Sequence, residues 1–345
     1  MKRLALALVF LTPAAALGGP RYALLTFPVK KVEAVFSWEF EAPQLQATEW
    51  VIVGPQPPEL PGQTNVSITA EPEAKKDNEK SDLQQPILVW RIPVKDDKLK
   101  TQVHIRFKTE ATLMERHLVK LPPGAPAPKV AALGKDQRKL FLAATPRLNH
   151  DAQAFQDWLK TNRLRRGVRE SDVDFALRVF QVIRGRFTYK YPVDHDGRAT
   201  STCKAGQGDC GCLATVFVCA CRANGIAARE LCGRWAESAK GKDSKIHCKA
   251  EFYVEDVGWV PVDATLGMST PGPAGLRFFG NDPGDFVVMH LDGDVKVDSI
   301  HWGAVASTRL QGVMYWATAS SGNFDKSKAE EDWQVKTSPP PKRRK

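Results

Sequence analysis

Residues 206–233 read Gly206-Gln-Gly-Asp-Cys210-Gly-Cys-Leu-Ala-Thr-Val-Phe-Val-Cys-Ala-Cys-Arg-Ala-Asn-Gly225-Ile-Ala-Ala-Arg-Glu-Leu-Cys-Gly233. A glycine-rich turn leads into an apolar run, 213–221, which stops at Asn224-Gly225, a helix-ending pair. Leu213, Val216, Phe217 and Ala220 would share one side and Ala214, Val218 and Cys221 another, so the run predicts a helix buried at the centre of a domain. Cys210 falls at its N-terminus, where unpaired backbone N–H groups and the positive end of the helix dipole favour an anion. A thiol there is expected to titrate below its usual ~8.5 and to react with iodoacetamide below neutral pH, as a nucleophile does.

The next informative stretch is 247–265. Cys248, Ala250, Phe252 and Val254 alternate with His247, Lys249, Glu251 and Tyr253, the period of a strand. A short connection, 255–258, leads to a second strand in which Trp259, Pro261 and Asp263 share a face. A hairpin of these two strands would set Asp263 beside His247. Cysteine, histidine and aspartate would then converge.

These residues resemble the transglutaminase-like superfamily, a papain-related group of cysteine enzymes. The likeness lies in Gly-Asp-Cys210 with Ala214, then Phe217, Arg222-Ala-Asn-Gly-Ile226, Ala228-Arg229, His247 with Glu251, and Gly258-Trp-Val-Pro-Val-Asp263. It covers about 138–286. It implies Cys210 as nucleophile, His247 as base and Asp263 as the residue that orients the histidine. The family usually has Trp two residues after the histidine, where this chain has Lys249.

Working outward, Met1-Lys-Arg, an apolar run at 4–11 and Ala14-Ala-Ala16 read as a secretory signal peptide over 1–18, too short to be a membrane anchor. The mature protein is expected to be exported, periplasmic or secreted. The 345 residues carry a formal charge of +10, but setting aside Lys2, Arg3 and five basic residues of the tail leaves about +3 on the body. With no zinc-finger, helix-turn-helix or RNA-recognition pattern, nucleic-acid binding is excluded.

The fold class expected is α+β: a transglutaminase-like core, its central helix packed on an antiparallel sheet, after a small N-terminal β-sandwich. Alternation in Phe36-Ser-Trp38-Glu-Phe40, at 66–70, at 88–92 and at 103–107 marks the sandwich over 21–120. The Pro-rich 121–135 reads as a linker. Residues 136–335 form the catalytic domain, opening with helices at 151–163 and 172–185, the latter with Ser171 and Asp174 at capping spacing. A strand at 287–291 should turn at Asp292-Gly293 into a hairpin with 295–297, and 313–318 should close the catalytic sheet. The basic tail, 336–345, is expected to be disordered, with a weak contact to an anionic envelope as one reading.

Seven cysteines in an exported chain suggest bridges. Cys212 and Cys219, about 10.5 Å apart by helical rise, cannot join each other. Cys203 is the expected partner of Cys212, Cys232 or Cys248, while Cys219, Cys221, Cys232 and Cys248 read as core. A metal site at Cys203, Cys210 and Cys212 is the rival reading, but its spacing matches no usual zinc pattern. Cys212 is the fallback nucleophile. Asp194, His195 and Asp196 read as solvated. His104, His117 and His150 lie outside the core pattern, and His290 and His301, near strand ends, read as structural; Glu251 and Arg229 read as an ion pair, and Gln207 and Trp235 as cleft-lining residues.

The chemistry expected is attack of Cys210 on a peptide or glutamine carboxamide through an acyl-enzyme, with hydrolysis favoured over crosslinking and no cofactor required. The expected partner is a protein or peptide substrate. The alternative is a silent binding or assembly module of the envelope.

Overall fold

The computed structural model describes residues 21–240, 245–299, 303–307 and 309–340. The expected signal peptide, His301 and the last five residues of the tail lie outside them. Two long strands, Tyr22–Glu41 and Gln102–Lys120, pair antiparallel along nearly their whole length. Gln63–Glu71 pairs with the second of these, and Lys328–Ser338 with the first. The facing sheet runs Met314–Ser321, Gln46–Pro55, Pro86–Pro93, Lys75–Asn78. The alternation read in the sequence fills the space between them: Phe36, Trp38, Phe40, Trp50, Trp90, Ile105, Phe107 and Trp333 are all buried there. Two sheets closed on such a core make a β-sandwich.

Two strands depart from expectation. The segment expected to close the catalytic sheet, Met314–Ser321, instead pairs with Gln46–Pro55, and Lys328–Ser338 extends the tail's ordered part through Ser338. The sandwich is thus completed by residues beyond the catalytic stretch, not by 21–120 alone. Side-chain alternation tells a strand which face to bury but not which distant strand to join.

The second unit is a four-stranded antiparallel sheet in the order Gly258–Val262, Ile246–Val254, Ala228–Trp235, Phe286–Leu291. The helix Cys210–Arg222 packs against it, buried from Gly211 through Arg222. Helices Gln153–Thr161 and Asp172–Arg186 contribute Phe155, Leu159, Phe175, Val179, Phe180 and Ile183 to the same core. Ser171 caps the second by accepting from the Asp174 N–H.

The expected hairpin at Asp292-Gly293 does not form. Val295–Asp298 pairs with Ala304–Ser307. Asp292 is committed elsewhere: its carboxylate accepts from the Glu230 N–H at 2.7 Å and from the Arg222 guanidinium at 2.5 Å. Anchoring the turn to the helix end sends the chain away from the sheet.

The two units meet over buried charge. Arg116, on the long Gln102–Lys120 strand and 1% exposed, pairs with Glu251 of the catalytic sheet and, at 2.8 Å, with Asp282. Glu251 also holds Arg229 at 2.7 Å, the ion pair expected from the sequence.

Candidate active site

Gly206, in a left-handed conformation that favours glycine, ends the preceding short helix and turns the chain toward Gln207–Gly208. Asp209 then caps the helix Cys210–Arg222, its carboxylate accepting from the Cys212 N–H at 2.8 Å. Cys210 is the first helical residue and lines an open cleft of about 560 Å³. Tyr189, Tyr191, Trp235, Ile246, Cys248, Asp285, Arg309 and Gln311 are among the other residues around it.

His247 lies one residue into the strand Ile246–Val254, which pairs with Gly258–Val262 as a hairpin. The chain leaves that hairpin at Asp263, so the turn of three residues, 255–257, sets how far Asp263 lies from His247. The His247 Nε2 to Asp263 Oδ2 distance is 2.8 Å, and both side chains are buried. The other oxygen of Asp263 accepts from the Leu266 N–H at 2.9 Å, capping the helix Ala264–Ser269. One carboxylate thus serves as helix cap and as partner of the imidazole. Cys210 lies beside the same imidazole, close enough that each acts on the other's titration.

The electrostatics follow from burial and this chain of contacts. Burial opposes the charged form of His247, yet the Asp263 carboxylate and the contact with Cys210 push it up to about 9. Burial likewise opposes the charged Asp263, but the ring, with Lys249 and the Leu266 N–H, holds the carboxyl below the usual range. Cys210 departs from the expectation of a depressed thiol. Its hydrogen bond with Cys248 and its burial push it up, and His247 only partly opposes them. A helix N-terminus favours the thiolate, but removal from water outweighs it here. The Cys210–His247 pair titrates as a unit, with both partners shifted toward their protonated forms.

Around the pair, Trp235 stacks on the His247 ring with centroids 4.6 Å apart, and Phe286 meets it edge-on at 6.0 Å. Lys249 fills the place two residues after the histidine. Its ammonium lies 3.1 Å from Asp285 and 3.4 Å from Asp282, over the faces of Trp235 and Phe286. The aromatic wall beside the histidine therefore comes from the adjacent strand, Ala228–Trp235, and the one beyond it, Phe286–Leu291, with Lys249 packed behind it.

Two cleft residues carried no signal in the sequence. Gln311 donates to the backbone carbonyls of His247, at 2.7 Å, and Gly233, at 2.9 Å, fixing the strand that bears the histidine. Arg309 donates to the Gly211 carbonyl at 2.9 Å and pairs with buried Glu230 at 3.0 Å. No periodicity marks either one. They are held in place by His290, whose Nε2 accepts from the Leu310 N–H at 2.7 Å. Burial pushes His290 down to about 4, so the ring is neutral and free to accept.

The other expectations resolve as follows. Asp194 and Asp196 pair with Lys190 and Arg198 at the surface, and His195 bonds the Gln207 carbonyl at 3.2 Å. His117 and His150 bond Asn281 and the Leu142 carbonyl, and His104 is exposed. Trp235 lines the cleft. Gln207 does not; its position is tied up in a two-residue pairing with Thr188–Tyr189. All seven cysteines are free thiols, so the bridge expected from Cys203 is not formed. Cys212, the fallback nucleophile, is buried and pushed up to about 11 by that burial. Among the described residues no group of three or more His, Cys, Asp or Glu is arranged to hold a metal.

Compared with known proteins, residues 159–264 match the family described as the transglutaminase-like superfamily. The chain has a transglutaminase-like core. A structure described as that of a candidate cysteine protease from Cytophaga hutchinsonii is similar over 90% of this chain and 100% of its own, with a TM-score of 0.53 and 14% identity. At that identity the likeness is one of fold, and it extends well beyond the transglutaminase-like core. The periplasmic domain of TgpA from Pseudomonas aeruginosa aligns over 67% of this chain and 88% of its own, with a TM-score of 0.33 and 13% identity. An uncharacterized protein of Haemophilus influenzae is 35% identical over 17% of this chain and 21% of its own length. The match thus spans about a fifth of that protein.

Proposed function

We propose that the chain is a cysteine hydrolase of peptide or glutamine carboxamide bonds, with Cys210 as nucleophile, His247 as acid and base, and Asp263 as the group that orients and charges the ring. The observation that carries this reading is the imidazole of His247, bonded to Asp263 at 2.8 Å and set beside a cleft-lining cysteine at a helix N-terminus, close enough for the two to shift each other's titration. A binding surface has no physical need for that chain of three.

Once the pair has lost one proton, the Cys210 sulfur attacks the carbonyl carbon and the oxygen gathers negative charge. In this reading the backbone N–H of Cys210, at the start of the helix Cys210–Arg222, donates to that oxygen, while the Cys212 N–H is held by Asp209. The imidazolium of His247 gives its proton to the departing amine, while Asp263 keeps the ring charged and correctly turned. Water, activated by the now neutral ring, resolves the acyl-enzyme. A primary amine in place of water would crosslink instead.

Tyr189 and Tyr191, both well exposed at the lip, supply apolar faces against which an extended peptide rests. The reading places the enzyme outside the cytoplasm, as the leader at 1–18 implies. Among the described residues no helix is long and apolar enough to cross a membrane.

The test is substrate profiling of the purified protein against peptide and glutamine-amide libraries, with and without a primary amine, beside Cys210→Ala. Release of amine or ammonia that Cys210→Ala abolishes supports the reading. Turnover unchanged in Cys210→Ala refutes it, and amine incorporation without hydrolysis moves the reaction to crosslinking.

A further inference from the structure

The mechanism above leaves one cleft-lining nucleophile unused. Cys248 directly follows the histidine, and it lines the same cleft as Cys210. Each thiol acts on the titration of the other, so the two sulfurs are neighbours at the cleft wall. Cys248 also stands opposite Cys232 in the register of the central sheet, so three sulfurs run inward from the cleft. Their exposure is graded: Cys210 is partly exposed, Cys248 is 3% exposed and Cys232 is fully buried. Only the outermost of the three can meet a reagent from solvent first.

We propose that Cys210 and Cys248 form a reversible oxidation site, in which a peroxide oxidises Cys210 and Cys248 resolves the product as an intramolecular disulfide. The proposal rests on Cys210 being the reactive thiol of the cleft, but not on the reaction it catalyses.

The steps balance without a further reagent. The Cys210 thiolate attacks one oxygen of the peroxide, the O–O bond breaks, and hydroxide or alkoxide leaves, giving a sulfenic acid. The Cys248 sulfur then attacks the Cys210 sulfur. The S–O bond breaks, and the departing hydroxide takes the Cys248 proton as water. Two electrons pass from the two thiols to the peroxide.

Placement favours this partner over the other five. Cys212 is two residues along the helix from Cys210, so its side chain projects from nearly the opposite side. Its sulfur is turned toward Gly197 and Gly208 instead. Cys203 packs at a different surface, beside Trp158 and Thr161. Cys219 and Cys221 lie two and three turns down the helix in the core. Cys232 touches Glu230 and the Asp292 carbonyl, each at 3.9 Å, and does not line the cleft. Burial pushes the Cys248 thiol up, but its contact with Cys210 and the nearby Arg309 guanidinium favour the thiolate that must attack. Contact also makes resolution faster than a second oxidation, because no diffusion is needed. A bridged Cys210 has no thiolate to attack a carbonyl, so the same bond that protects the sulfur switches the site off.

The experiment treats the reduced full-length chain with one equivalent of hydrogen peroxide, then blocks free thiols and maps peptides by mass. The expected product has lost two hydrogen atoms, links the peptide bearing Cys210 to the one bearing Cys248, and returns to two thiols with dithiothreitol. In Cys248→Ala the sulfenic acid should persist, be trapped by dimedone, and go on with excess peroxide to the sulfinic acid that dithiothreitol does not reverse. Cys232→Ala should still form the bridge. Direct conversion of wild-type Cys210 to sulfinic acid, or a link from Cys210 to any other cysteine, overturns the proposal. Should Cys248→Ala fail to fold by circular dichroism, the wild-type peptide map decides alone. None of these readouts uses a substrate, so a protein that bridges but hydrolyses nothing would refute the hydrolase reading and leave this one standing.

Discussion

Replacing Asp263 by Asn isolates the charge on the third member of the chain while keeping its shape. The amide oxygen can still accept from the Leu266 N–H, so the cap of Ala264–Ser269 survives. What is lost is the negative partner of His247. The interval from the ordinary imidazole value of 6.5 to about 9 is worth about 3 kcal/mol in favour of the charged ring. Since burial works the other way, the favourable contacts supply more than that net figure, and Asp263 is the largest of them. The transition state carries an imidazolium, so kcat/KM should fall by about 100- to 1,000-fold in Asp263→Asn. The pH profile should change as well. In the wild type the pair must lose one proton to act, so activity rises with pH toward 9. Without the carboxylate the ring no longer clings to its proton, and the limb should move to lower pH even as the plateau drops. The assay is kcat/KM for the best peptide or amide substrate across pH, with circular dichroism to confirm the fold. A variant within about threefold of wild type, with an unmoved limb, would refute the electrostatic role of Asp263.

Stability should carry the same signature. A group whose pKa is higher folded than unfolded contributes stability that is whole below the unfolded value and lost as pH rises through the folded one. For His247 that window runs from 6.5 to about 9, so the urea midpoint should fall across it in the wild type and less so in Asp263→Asn. Arg116→Met should cost about 3–5 kcal/mol in urea unfolding, because it leaves Glu251 and Asp282 buried with one cationic partner fewer; a loss under about 1 kcal/mol would show that the pair is neutral to stability. Gly233→Ala should separate two strands of the catalytic sheet, since a Cβ there would lie 2.0 Å from the Val287 carbonyl oxygen. A destabilisation of about 1–3 kcal/mol together with reduced turnover is expected, and an unchanged melting temperature would contradict the close approach.

The parts of the site that could be read in the sequence are those that local rules control. Helix periodicity and an Asn-Gly stop placed Cys210 at a helix start, and strand alternation with a short turn placed Asp263 against His247. Both follow from spacing over a few residues. Arg309 and Gln311 could not be read in this way, since their positions depend on His290 holding the Leu310 N–H across the fold. The titration of Cys210 was misread for a related reason. The helix terminus is visible in the sequence, but the neighbouring Cys248 sulfur belongs to another element and weighs against the thiolate. Met314–Ser321 shows the same limit on a larger scale: its strand character was legible, its partner Gln46–Pro55 was not.

The pairing of Lys328–Ser338 with Tyr22–Glu41 also bears on how the chain matures during synthesis. The first long strand is made well before the strand that covers its edge, with the whole cysteine-bearing unit emerging between them. Until the ribosome has passed Ser338, that edge offers unpaired N–H and C=O groups to any neighbouring strand. The nascent chain therefore has to be shielded until that strand has emerged, and a message truncated before it would yield a sticky product with an open sheet edge.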